Sequence, residues 1–176
     1  MPKKPLVNLS PRTSLFWVLT ATVVALDQFS KRLIEILVPY GSTENFFGIS
    51  HLYNTGAAFG FLANSSGSRL VLSLISVAGT ILVIYIAFGL CRRLSFLKWP
   101  STTLALGIML GGIVGNMLDR VFIGHVTDFI SVWRWPDFNI ADSMLVIGNI
   151  ILAINIIRAS GAEHSHDQIG SVDGRQ

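Results

Sequence analysis

The chain has 176 residues, 51% of them hydrophobic and only 13% charged, with a formal net charge of +3 and a pI near 9.4. Soluble globular proteins carry about 25% charged residues, so a water-soluble fold of this composition would leave apolar surface uncovered, and the bilayer is the natural solvent. The length sets a single compact unit, and the positive balance, with no basic helix face and no interleaving of aromatic and basic residues, gives no reason to expect a nucleic-acid partner.

Lys3, Lys4 and Arg12 precede the first apolar stretch, residues 13–38. That stretch is long enough to cross a membrane, which takes about 20 mostly apolar residues, although Asp27, Lys31, Arg32 and Glu35 interrupt it. Val23-Val24-Ala25 resembles a signal-peptide cleavage site. The polar residues after Ala25 nevertheless continue at helical spacing, so the stretch is expected to be a retained helix. Residues 46–53, FFGISHLY, combine β-favouring side chains with turn signals on both sides, and Asn54-Thr55-Gly56-Ala57-Ala58-Phe59-Gly60-Phe61 follows. A small sheet on the membrane surface, between the first and second helices, is expected there.

Residues 70–90 form a second span, 21 residues without a charge, and residues 99–118 a third. Cys91, Arg92, Arg93 and Lys98 lie in the short link between them; one cysteine excludes a disulfide framework. Gly107, Gly111 and Gly115 recur every four residues in the third span, with Gly112 beside them, which predicts a face that lets a neighbouring backbone approach closely. One turn further come Asn116, Asp119 and Arg120. A strand-like stretch containing Asp128 (residues 124–130), Trp133 and Trp135, and a candidate helix cap at Asn139 lead into the fourth span, residues 143–157 extended by FNIAD. From Ser160 the tail has no apolar periodicity, so residues 1–159 are expected to form the membrane domain and 160–176 a disordered cytoplasmic tail.

Positive residues cluster before the first span, between the second and third, and at Arg158 after the fourth. By the positive-inside rule these sites are cytoplasmic, giving an all-α protein of four transmembrane helices, N-in and C-in. Residues 32–69 and 119–139 then lie outside, their aromatic side chains at the interface.

The acids fall into two groups. Asp27 and Lys31 stand four apart in the favourable order for a helical salt bridge, and Asp119 beside Arg120 is expected to pair at the helix end. Asp128 and Asp142 have no basic residue at helical spacing. Asp142 occupies the first turn of the fourth span, where the helix dipole favours an anion. A short loop returns both to one membrane level, and two close carboxylates tend to share a proton. Spacing alone leaves three accounts open: helix capping with loop hydrogen bonding, an aspartyl-protease pair, or proton or ion conduction. Conduction predicts acids near mid-span; a non-enzymatic scaffold predicts that either aspartate tolerates Asn. His51 and His125 lack the spacing of paired metal ligands, and His164 and His166 in the tail are expected to be solvated.

DQFSK (27–31), NTGAAFG (54–60), GGIVGNMLDR (111–120), GHVTDFI (124–130) and FNIAD (138–142), in this order across four spans, resemble the bacterial lipoprotein signal peptidases, also called signal peptidase II. The resemblance implies an aspartic endopeptidase of the bacterial inner membrane, its site at the extracytoplasmic face, cutting prolipoproteins on the N-terminal side of a diacylglyceryl-modified cysteine. It implies Asp128 and Asp142 as the catalytic pair. Asn54, Gly56, Asn116, Arg120 and Asn139 would support the site and the substrate backbone, and Asp27, Lys31 and Asp119 would have structural or assisting roles. No metal or cofactor is implied, and the enzyme is expected to act as a monomer in membrane lipid.

Overall fold

The computed structural model describes residues 10–43, 47–56, 67–90 and 93–173. Lys3, Lys4, Phe59, Cys91 and Arg92 lie outside them, as do the side chains of His164 and His166.

Four helices are long and apolar enough to cross a membrane: Pro11–Leu37, Ser68–Gly89, Pro100–Ile123 and Ile140–Gly161. The first, α1 (Pro11–Leu37), starts at Ser10, whose hydroxyl accepts from the Thr13 backbone N–H, with Pro11 in the first turn where its missing N–H is harmless. It runs unbroken through Ala25. Its buried residues, Phe16, Thr20, Val23, Asp27, Lys31 and Ile34, recur every three or four positions. Asp27 and Lys31, two of the four charges that weakened this span in the sequence, therefore lie on its inward face, whereas Arg32 is exposed and pairs with Glu35 at 2.7 Å. Helix α2 (Ser68–Ile84) continues as a π-helical turn, Tyr85–Gly89. Helix α3 (Pro100–Leu118) also ends in a π-helical turn, Asp119–Ile123, which stops at Gly124 with φ +95°.

Helix α3 is the hub of the bundle. In its apolar window 56% of residues are buried, against 17–22% in the other three helices, and α1, α2 and α4 all pack on it. The outer helices instead expose large apolar side chains such as Phe29, Ile36, Leu70 and Ile157, as expected of surfaces solvated by acyl chains. The glycines of α3 serve two neighbours. A Cβ on Gly107, Gly111 or Gly115 would lie 3.0 Å from Phe16 O, 2.5 Å from Val23 Cβ or 2.6 Å from Asp27 Oδ2, all on α1. One on Gly112 would lie 2.5 Å from the Ala141 backbone oxygen at the start of the fourth helix. The close approach read from the four-residue spacing is thus realised, and Thr20 Oγ1 donates across it to Gly107 O at 3.0 Å.

The fourth helix, α4 (Ile140–Asp173), extends beyond the expected tail boundary at Ser160. There is no proline after Pro136 to break it.

The sheet differs from expectation in its chain origin. Its strands β1 (Phe47–Asn54), β2 (Val126–Val132) and β3 (Trp135–Phe138) are antiparallel in the order β1-β2-β3. Only β1 comes from between the first and second helices; β2 and β3 form a hairpin between α3 and α4. Strand pairing at this separation leaves no periodic trace in either segment alone. The hairpin turns at Trp133 and Arg134, with Trp133 at φ +44°. Both tryptophans expected at the interface, Trp133 and Trp135, are exposed, and the Arg134 guanidinium lies 5.4 Å from the Trp133 ring centroid. The register sets Leu52 opposite Asp128 and Asn54 opposite Val126, so β1 carries Asn54 to the Asp128 carboxylate.

Candidate active site

At one end of the bundle, where α1 and α3 finish and α4 begins, the sheet lies against a buried polar cluster. Asp128, on β2, is 3% exposed. Its Oδ2 accepts from Asn54 Nδ2 at 2.9 Å and its Oδ1 from Asn139 Nδ2 at 2.7 Å. Burial is the main reason its carboxyl is pushed up to about 7; the nearby Asp142 charge adds to this, and the two asparagine donors act against it.

Asp142 is held from two sides. Asn116 Nδ2 on α3 donates to its Oδ1 at 2.8 Å, while its Oδ2 reaches the Asn139 backbone N–H at 3.4 Å. The second contact has a reciprocal: Asn139 Oδ1 accepts from the Asp142 N–H at 3.0 Å, closing a capping box at the start of α4. Asn139 therefore caps the helix, as its position suggested, and its amide also joins the two aspartates, accepting from the Asp142 backbone N–H while donating to the Asp128 carboxylate.

Behind the aspartates lies a second, fully buried group. The Lys31 ammonium pairs with Asp27 Oδ2 at 2.7 Å and Asp119 Oδ2 at 2.6 Å, and donates to Asn116 Oδ1 at 2.9 Å. The salt bridge expected between Asp27 and Lys31 is present. The one expected between Asp119 and Arg120 is not: Asp119 turns inward to Lys31. Burial of that ammonium on α1 demands a second counter-charge that no local spacing rule contains. Arg120 instead donates weakly, at 3.4 Å each, to the backbone oxygens of Asn116 and Gly56. Its buried Nε has no partner among the described residues. Gly56 N–H donates to Asn54 Oδ1 at 2.9 Å. Asp27 Oδ1 accepts from the Ala141 N–H at 2.9 Å, fastening α4 to α1.

All ten residues expected at the site thus lie in one connected region. Two others belong to it. Gln28 Nε2 contacts Asp119 Oδ1 at 2.8 Å, Gly115 O at 3.1 Å and Asp27 Oδ2 at 3.3 Å. Glu35 Oε1 accepts from the Thr127 hydroxyl at 3.0 Å, next to Asp128. Gln28 lies inside the DQFSK motif and was the legible one; Glu35 carried no signal because its partner is 92 residues away. The histidines have local roles. His51 donates Nδ1–H to Val38 O at 2.8 Å, and the His125 ring lies 3.8 Å from that of Tyr53.

In overall form the chain groups with membrane enzymes. Two solved structures described as bacterial membrane enzymes, each 28% identical, superimpose with TM-scores of 0.70 and 0.65; they cover 91% and 81% of this chain and 94% and 92% of their own. The sequence comparisons narrow that class. The family model described as signal peptidase (SPase) II matches residues 19–158. The lipoprotein signal peptidase of Janthinobacterium sp. (strain Marseille) is 37% identical over 86% of this chain and 94% of its own length. That of Cellvibrio japonicus (strain Ueda107) is 41% identical over 80% and 85%. The chain belongs to the signal peptidase II family, the lipoprotein signal peptidases.

Proposed function

We propose that this multi-pass peptidase is an aspartic endopeptidase in which Asp128 and Asp142 form the catalytic pair, cutting diacylglyceryl-modified prolipoproteins just before the lipidated cysteine. The observation that supports it best is the Asn139 bridge, whose side-chain amide donates to the buried Asp128 carboxylate and accepts from the backbone N–H of the half-buried Asp142. Such a pair shares a proton. One carboxylate takes a proton from water as its oxygen attacks the scissile carbonyl; the other donates its proton to the carbonyl oxygen, and the tetrahedral intermediate then collapses with proton transfer to the leaving amine. Arg120, whose Nε is unmatched among the described residues, would donate to a substrate carbonyl. No metal or cofactor enters these steps.

The substrate is itself an apolar helix with a lipidated cysteine at the water interface, so a centre at the ends of the spans meets its scissile bond. The positive-inside pattern of the charges supports an extracytoplasmic position for that end, and membership of the family supports the bacterial inner membrane. Residues 1–159 are the peptidase domain, working as a monomer among lipids, and the exposed Trp133 turn joins β2, which carries Asp128, to β3.

The test is cleavage of a synthetic diacylglyceryl lipopeptide by the purified enzyme and by its Asp128→Asn and Asp142→Asn variants. Retention of near-native cleavage by either folded variant rejects the pair. A pH dependence follows as well. The active pair carries one proton, and burial holds the Asp128 carboxyl up to about 7. Cleavage therefore declines as pH rises through about 7 and that proton leaves; kcat/KM measured across roughly pH 5 to 9 shows this limb, whereas a flat profile counts against a shared proton.

A further inference from the structure

The three asparagines that donate to the aspartates have amides whose two ends are nearly alike in shape, so each must be oriented by its other partners. Asn54 is oriented by the Gly56 N–H and Asn139 by the Asp142 N–H, both backbone donors to the amide oxygen. Asn116 differs, because its Oδ1 receives side-chain donors: the Lys31 ammonium at 2.9 Å and the Asn139 amide at 3.2 Å. An ammonium has three N–H donors and no acceptor. Those of Lys31 reach Asp27 Oδ2 at 2.7 Å and Asn116 Oδ1 at 2.9 Å, while Asp119 Oδ2 lies 2.6 Å from the ammonium as an ion pair. A flipped Asn116 would aim its NH2 at donors and its oxygen at the Asp142 carboxylate.

We propose that Lys31 is a positioning residue for the peptidase reaction: its ammonium fixes the Asn116 amide so that Nδ2 always faces Asp142 Oδ1. The two carboxylates on either side hold the ammonium on target, and Gln28 joins those carboxylates to each other and to α3 through Gly115 O. Gly115 has no side chain to keep Asp27 away, since a Cβ there would lie 2.6 Å from Asp27 Oδ2. The consequence is chemical. With a permanent donor on Oδ1, a proton on Asp142 belongs on Oδ2, the oxygen with only a long backbone contact. Lys31 thereby decides which oxygen of Asp142 exchanges a proton with water or substrate, without touching either.

The inference rests on the Asp128–Asp142 reading, and its test is a double-mutant cycle in the full-length enzyme with the lipopeptide substrate. Lys31→Met is paired with Asp27→Asn, which keeps an acceptor for the Ala141 N–H. The buried group of Asp27, Lys31 and Asp119 sums to minus one natively, and Asp119 alone supplies minus one in the double variant. The expected result is a fall in kcat of about 10- to 100-fold with KM within about twofold, the size of loss that misplacing a catalytic group produces. In an Asn116→Leu background the same pair of changes produces no further fall in kcat. An equal fall in both backgrounds, or an unchanged kcat accompanied only by a lower thermal midpoint, makes Lys31 a structural tie and overturns the proposal. If the double variant does not fold, Asp119→Asn, which keeps the Lys31–Asp27 pair, goes through the same comparison. Failure of the catalytic pair itself is distinguishable, because it is scored on Asp128→Asn and Asp142→Asn with Lys31 intact.

Discussion

Asn at either position 128 or 142 lowers the turnover of lipopeptide by about a thousandfold or more, the loss expected when a general acid or base is removed from a pair that acts as a unit. The two variants differ in stability. Asn at 142 keeps an oxygen for Asn116 Nδ2, and its new NH2 meets only the distant Asn139 N–H; its thermal midpoint stays near native. Asp128 accepts from an amide donor on each oxygen. Asn there sets an NH2 against another NH2 and loses about 1 to 3 kcal/mol, the cost of a buried polar group without its partner. Thermal unfolding in detergent beside the cleavage assay checks both halves. Equal stability of the two variants contradicts the hydrogen-bond assignment even if both are inactive.

Gly112→Ala is the second large effect. The added Cβ would lie 2.5 Å from the Ala141 backbone oxygen and 3.0 Å from Leu145 Cγ. A backbone oxygen cannot rotate away as a side chain can, so α4 must shift at its first turn. Overpacking of this kind costs about 1 to 3 kcal/mol. Ala141 is bonded to Asp27 and precedes Asp142, so the shift also displaces the carboxylate, and a displacement of about 1 Å is enough for a hundredfold loss of rate. Activity is therefore expected to fall about a hundredfold in protein that still folds. A Gly112→Ala enzyme with native turnover would mean that the first turn of α4 is not held as described.

The features legible in the sequence were those that repeat or stand close along the chain. Apolar runs marked the spans, four-residue glycine spacing marked the α1-facing side of α3, and the Asp27–Lys31 and Asn139–Asp142 spacings marked a salt bridge and a cap. The features that were not legible join distant segments. Asp119 stands beside Arg120, and only the burial of Lys31 on another helix draws it away. The sheet takes β1 from one connection and β2 and β3 from another, which no pattern within residues 46–53 records. Helix α4 passes Ser160 although the sequence there has no apolar periodicity. The family resemblance selected Asp128 and Asp142 from several acids; their joint capture by Asn139 depends on the packing of β2 against the start of α4, which no spacing along the chain encodes.

That capture has a consequence for the order in which the protein becomes competent. Lys31, Asn54, Asn116, Asp128, and Asn139 with Asp142 come from five successive portions of the chain, and the last of them opens the final helix. Every portion synthesised before α4 contains at most one member of the carboxylate pair. With Asp128 and Asp142 as the proposed catalytic pair, a growing chain is expected to be inert as a peptidase until its last span has docked against the first and third.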